Sequence, residues 1–342
     1  MTCAKFSLLS RNFPKLCAIV LLLACFPARA GDMTSTLLIG ASRIDVVIDS
    51  GDLKVSQADL MRWVQRAAEA VSTYYGRYPV PHAGIRIIPV DGNGIRHGQT
   101  FPFNGGFIKI RVGAETLAPE LDGDWMLTHE MVHLAFPSVE DNHHWMEEGI
   151  SVYVEPIARI QAGQMTAAQM WSDLVRDMPK GVPHPDDTGL DNMHTWASTY
   201  WGGALFCFLA DVEIRRETHN KKGLQDALRG ILNAGGDIRQ DWKLVDALQA
   251  GDRAAGVTAM EDLYAKMKDQ PMQVDLPGLW KELGIERDGS GVRLIDDAPL
   301  AAIRRAITDT QTAKAAQPTA SSQPSAVFAG RAAGASRQID EP

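Results

Sequence analysis

The chain has 342 residues, 45% of them hydrophobic and 22% charged, an ordinary globular composition with enough apolar material for a sizeable core. Basic residues number 34 and acidic residues 42; four of the basic and none of the acidic ones fall in residues 1–30, leaving 30 against 42, a net charge of −12, over residues 31–342. That acidity argues against nucleic acid and anionic membrane surfaces as partners.

Residues 1–30 carry Lys5, Arg11 and Lys15, then an apolar run over residues 16–25, then Ala28-Arg29-Ala30. A basic start, a short apolar stretch and a small-x-small site make a secretory signal peptide, which predicts export with Gly31 as the mature start. The run is too short for a stable transmembrane helix. Leu22-Leu23-Ala24-Cys25 also resembles a bacterial lipobox, the alternative being a membrane-anchored lipoprotein lipidated at Cys25. Cys3, Cys17 and Cys25 all lie in this segment, so the mature chain keeps Cys207 alone and no internal disulfide is expected. Cys207 sits within Ala204-Leu205-Phe206-Cys207-Phe208-Leu209 and reads as a buried core thiol.

Ile44-Asp45-Val46-Val47-Ile48 reads as a strand closed by Ser50-Gly51, and Ser56 as the cap of a helix over residues 60–75, whose Leu60, Trp63, Val64, Ala67 and Val71 follow helical spacing. Pro79 and Pro81 stop it. Residues 85–90 form a second strand and Asp91-Gly92-Asn93-Gly94 a turn. Residues 106–112 alternate apolar and basic, predicting a strand with one buried face; just ahead of the helix at 125–136, it reads as an exposed sheet edge. From about Leu117 onward the pattern is almost wholly helical, and no internal repeat is present. The expected class is α+β: a small mixed sheet with a helix over residues 31–116, a mainly helical half over 117–307, and an active-site cleft between them. From 308 to 342 the Ala-, Ser-, Gln- and Pro-rich sequence predicts a disordered tail.

The helix at 125–136 contains His129-Glu130-Met131-Val132-His133. Residues four apart share a helix face, so both imidazoles can bind one ion while Glu130 borders it without coordinating. A hydrolytic zinc site takes three protein ligands and keeps a fourth position open, so one further ligand is required. Pro137 ends the helix, Asp141 or Asn142 caps the next, and a tight turn would place that second helix antiparallel. Glu147 and Glu148 are candidates for the third ligand, with His143 and His144 nearer the turn. A metzincin is excluded, because Phe136 and Val139 stand where it needs glycine and a third histidine.

The combined motif resembles the gluzincin branch of the HExxH peptidases, which includes the aminopeptidase N and glycyl aminopeptidase families and has a zincin-like fold. There the second helix commonly reads Trp-x-x-Glu-Gly, matched by Trp145-Met146-Glu147-Glu148-Gly149, and the resemblance implies Glu148 as the third zinc ligand. Tyr153-Val154-Glu155 matches a following Tyr-x-Glu; Glu155, seven residues after Glu148, returns to the same face and is expected to orient a ligating imidazole. Thr199-Tyr200-Trp201-Gly202-Gly203 resembles the helix that brings a tyrosine to the metal, with Gly202 in place of the family's lysine. These matches cover roughly residues 125–235.

The resemblance implies one zinc ion per chain, Glu130 as general base, and Tyr200 as a donor to the developing oxyanion. In related enzymes an edge strand pairs with the substrate backbone, which would make Gly105, Gly106, Phe107 and Ile108 the substrate-binding residues of a peptide or protein substrate. Aminopeptidases of these families use a loop glutamate to grip the free amine; residues 97–113 contain none, and Glu115 comes too late, so strict aminopeptidase action is not expected. Two rivals remain: an inactive exported binding or scaffold protein on the same fold, and a zinc hydrolase of a non-peptide amide or ester.

Overall fold

The computed structural model describes residues 31–310. The expected signal peptide with Cys25, and residues 311–342 of the expected tail, lie outside the described residues.

Five strands form one sheet: β1 Met33–Ile39, β2 Ser42–Ile48, β3 His82–Val90, β4 Ile95–Phe101 and β5 Phe107–Gly113, in the order β1-β2-β3-β5-β4. The pairs β2/β3 and β3/β5 are parallel, while β1/β2 and β4/β5 are antiparallel. A parallel pair needs a crossover, and helix α1, Gln57–Tyr75, supplies it between β2 and β3. Ser56 caps it, its hydroxyl accepting from the Asp59 amide at 3.1 Å. The stripe Trp63, Val64, Ala67 and Val71 is buried, with Val64 and Val71 fully enclosed.

The remainder is helical: α2 Ala118–Asp122, α3 Met126–His133, α4 His144–Gln161, α5 Ala167–Asp177, α6 Gly203–Glu217, α7 Leu224–Asn233, α8 Leu244–Ala255, α9 Ala259–Met267 and α10 Leu276–Leu283. A small hairpin, β6 Ile285–Asp288 with β7 Gly291–Leu294, precedes α11, Ala301–Ile307. The fold is α+β, a five-stranded mixed sheet joined to a helical half. Sequence patterning does not reveal β1, β4 or the β6–β7 hairpin. Nor does Asp141 or Asn142 cap α4; both lie in a single 3₁₀ turn, Asp141–His143, that leads into it.

The helical core is aromatic. Trp145, Trp171, Phe206 and Phe208 are buried, and Tyr153 of α4 donates to Asp211 of α6 at 2.9 Å. Cys207 on α6 is fully buried, and burial pushes its thiol up, which suits a packing role. Among the described residues no helix is long and apolar enough to cross a membrane.

Candidate active site

Helix α3 is anchored by Leu127, Met131 and Val132, all fully buried, and its start is held by Asp124, which accepts from the Met126 and Leu127 amides at 3.1 Å each. With that face fixed inward, His129 and His133 stand one turn apart on another, ring centroids 5.0 Å from each other. The chain then reverses into α4. Glu147 is used in the reversal, its carboxylate accepting from the Val139 amide at 3.0 Å. Glu148 turns instead to the imidazoles: its Oε2 lies 3.1 Å from His129 Nε2 and 3.6 Å from His133 Nε2.

The ligand atoms of His129, His133 and Glu148 all lie within 4.8 Å of one another. Ligands 2.1 Å from a tetrahedral ion stand about 3.4 Å apart, and the 3.1 and 3.6 Å from Glu148 to the two imidazoles are close to that separation. The charges fit too. Burial would lower the His133 imidazole, but the carboxylates of Glu148, Glu130 and Glu147 outweigh it and push it up. Burial would raise Glu148, yet hydrogen bonds from His129, His133 and His144 hold it far below the usual carboxylate range. Of these carboxylates only Glu148 touches the two imidazoles, and its negative charge between them favours a cation there. His144, at the mouth of α4, is 3.0 Å from Glu147 and 3.3 Å from Glu148, which raise it to about 10.

A close helix crossing brings in the tyrosine. A Cβ on Gly149 would stand 2.2 Å from the Gly203 backbone, and one on Gly203 would stand 2.0 Å from the Trp145 carbonyl oxygen. Only glycine at both positions lets α4 and the start of α6 touch backbone to backbone. The glycine after Glu148 thus has a packing reason. Gly149→Ala forces the helices apart; we expect a loss of about 1–3 kcal/mol of stability and weakened zinc retention, read by thermal unfolding with metal analysis. Just before α6, residues Ala197–Gly202 form a π-helical turn that carries Tyr200. The Tyr200 ring lies 6.4 Å from that of His129, nearly parallel, and is stacked on its other neighbour Trp196 at 5.8 Å. Burial, then the Glu148 and Glu130 carboxylates, raise its hydroxyl to about 12, so it stays protonated at neutral pH.

No protein-family model matches the chain, and no curated protein matches it. Solved structures do. An aminopeptidase N family protein from Idiomarina loihiensis superposes with a TM-score of 0.57 at 13% identity, over 74% of this chain and 49% of that one. This chain shares its fold. An M1 zinc metallopeptidase from Deinococcus radiodurans aligns with a TM-score of 0.44 at 16% identity, over 72% of this chain and 54% of that one. The chain therefore spans about half the length of either structure, and the shared fold rests on the first.

Two sequence expectations need correction. Residues 106–112 are not an exposed edge: β5 lies between β3 and β4, and β4 is the edge on that side of the sheet, with β1 at the other. Phe107 and Ile108 are buried, and Gly105 and Gly106, at φ 90° and 125°, make the tight return from β4 to β5 against His82 and Leu134. The strand facing the metal-ligand cluster is β4, whose His97, Gly98, Gln99 and Thr100 wall a cavity of about 350 Å3 with His129, Glu130, His133, Glu148 and Tyr200. Glu155 does not orient an imidazole either. Seven residues put it on the right face but about 10 Å further along the axis, where Oε1 accepts from Arg159 at 3.0 Å. Burial raises its carboxyl to about 7. Among the described residues, His129 Nδ1 has no hydrogen-bond partner.

Glu155 and Arg159 line a second cavity, about 910 Å3, that also reaches His129 and Tyr200. Trp125 and Trp196, 49% and 60% exposed, line it too. Sequence reasoning singles out neither indole for binding and does not reach Thr100 or Gly98. His143 is tied to Glu140 and Tyr264, and the exposed His194 lines neither cavity.

Proposed function

We propose that this chain is an exported zinc peptidase that cleaves peptide bonds with Glu130 as the general base. The observation that carries this reading is the trio of donor atoms from His129, His133 and Glu148 within 4.8 Å of one another. Zinc held there supplies a bound water of lowered pKa and a Lewis acid for the scissile carbonyl. Glu130, buried beside the ligands but not among them, takes the proton from the attacking water and passes it to the leaving nitrogen. Tyr200, protonated at neutral pH, donates to the carbonyl oxygen as it turns negative.

Substrate placement follows from the corrected edge. An extended peptide adds to the free side of β4, and a side chain next to the scissile bond enters the larger cavity past Trp125 and Trp196. Residues 97–102 offer no carboxylate to a free amine, which supports cleavage that does not require one. Purified protein should carry one zinc per chain and cut members of a peptide library. Chelation should stop cleavage and zinc should restore it. A well-folded, metal-free protein that cuts no peptide would instead support the scaffold reading.

A further inference from the structure

Residues two apart on a strand face the same side, and on β4 both Gly98 and Thr100 face Glu130. The Thr100 hydroxyl lies 2.6 Å from Glu130 Oε2 and 2.9 Å from the Glu130 backbone carbonyl oxygen. The shorter contact has the length of a short hydroxyl–carboxyl hydrogen bond. The longer one offers the same single hydroxyl proton an alternative acceptor on the backbone of α3. Gly98 bounds the other side of the carboxylate: a Cβ there would stand 2.6 Å from Glu130 Oε1, 2.7 Å from Cγ and 2.9 Å from Cδ. One carboxylate oxygen is thus held by a bond, and the other has room only because residue 98 lacks a side chain.

Helix α3 places the Glu130 backbone, but a glutamate swings through several rotamers from a fixed backbone. A base must sit within a fraction of an ångström of the proton it takes, so whatever stops that swing contributes to the rate. We propose that Thr100 is a positioning residue for the reaction, holding the Glu130 carboxylate toward the metal-ligand trio while Gly98 keeps that place open. This rests on the reading of Glu130 as the general base. It also gives β4 two roles, since the strand that receives the substrate backbone on its free side sets the base from its side chains.

The test compares Thr100→Val, which keeps the shape but lacks the hydroxyl, with Thr100→Ser, which keeps the hydroxyl. Thr100→Val should retain one zinc per chain and a wild-type melting curve, and lose roughly ten- to a hundredfold in kcat with KM changed less than about twofold. Thr100→Ser should restore kcat to within about threefold of wild type. Gly98→Ala meets the Glu130 side chain from Cγ to Oε1 rather than backbone, so it should fold with that side chain displaced and lose about a hundredfold or more in kcat. Thr100→Val should cost nothing further in a Glu130→Gln background. Wild-type kcat in Thr100→Val, no rescue by Thr100→Ser, loss of zinc from Thr100→Val, or a further loss in the double variant would each overturn the proposal. Glu130→Gln alone keeps the two claims apart. If it cleaves at the wild-type rate, the reading of the base fails; if it is inactive while Thr100→Val is not impaired, only the positioning claim fails.

Discussion

Replacing Glu130 by Gln is expected to leave one zinc per chain and to lower kcat by about a thousandfold or more, with KM near the wild-type value. Glu130 is buried next to His129 yet contributes no atom to the trio of candidate ligands, so an isosteric amide leaves the donor set intact. What the amide cannot do is accept and return a proton. Thr100 can still donate to the amide oxygen, so the side chain should keep its place and the loss should report chemistry rather than geometry. Zinc measured alongside single-turnover cleavage separates the two. A Glu130→Gln protein that holds zinc and still turns over normally would remove Glu130 from the mechanism.

The second large effect is expected at Tyr200. Its hydroxyl stays protonated because burial and the Glu148 and Glu130 carboxylates raise it to about 12, and its ring is already set by Trp196 and His129. Tyr200→Phe keeps that stacking and removes one donor, which should cost about a hundred- to a thousandfold in kcat. Zinc content and KM should change little, since the lost bond strengthens only as the carbonyl oxygen gains charge. Equal rates for Tyr200→Phe and wild type below pH 9 would show that the phenol only packs. The π-helical turn gives an independent reason to look here: that irregularity, which ends just before the crossing glycine Gly203, carries Tyr200 beside His129.

How much of this is legible in the sequence depends on how local the cause is. Helical spacing alone puts His129 and His133 on one face, and the stripe Trp63, Val64, Ala67 and Val71 identifies α1, because both facts live within a few turns. Choosing between Glu147 and Glu148 needs the neighbouring helix. They are adjacent in sequence, and only the chain reversal shows that one carboxylate holds the Val139 amide while the other meets the imidazoles. Glu155 has the right angular period and the wrong axial distance, a failure that a helical wheel cannot reveal. The largest miss is β4. Ile95-Arg96-His97-Gly98-Gln99-Thr100-Phe101 has no buried face to impose alternation, since it is an edge strand lying over a cleft. With β4 unseen, β5 reads as the edge, and Thr100 has no visible connection to a glutamate 30 residues away.

The most direct measurement is zinc affinity, by competition with a chromophoric chelator, for the wild-type chain and for its Glu148→Ala and Glu147→Ala variants. Two imidazoles and one carboxylate sharing an ion predict that Glu148→Ala weakens zinc binding by at least about a hundredfold, whereas Glu147→Ala, which loses the Val139 amide and His144 contacts but no member of the trio, stays within about tenfold of wild type. Unchanged affinity in Glu148→Ala would contradict the three-ligand site.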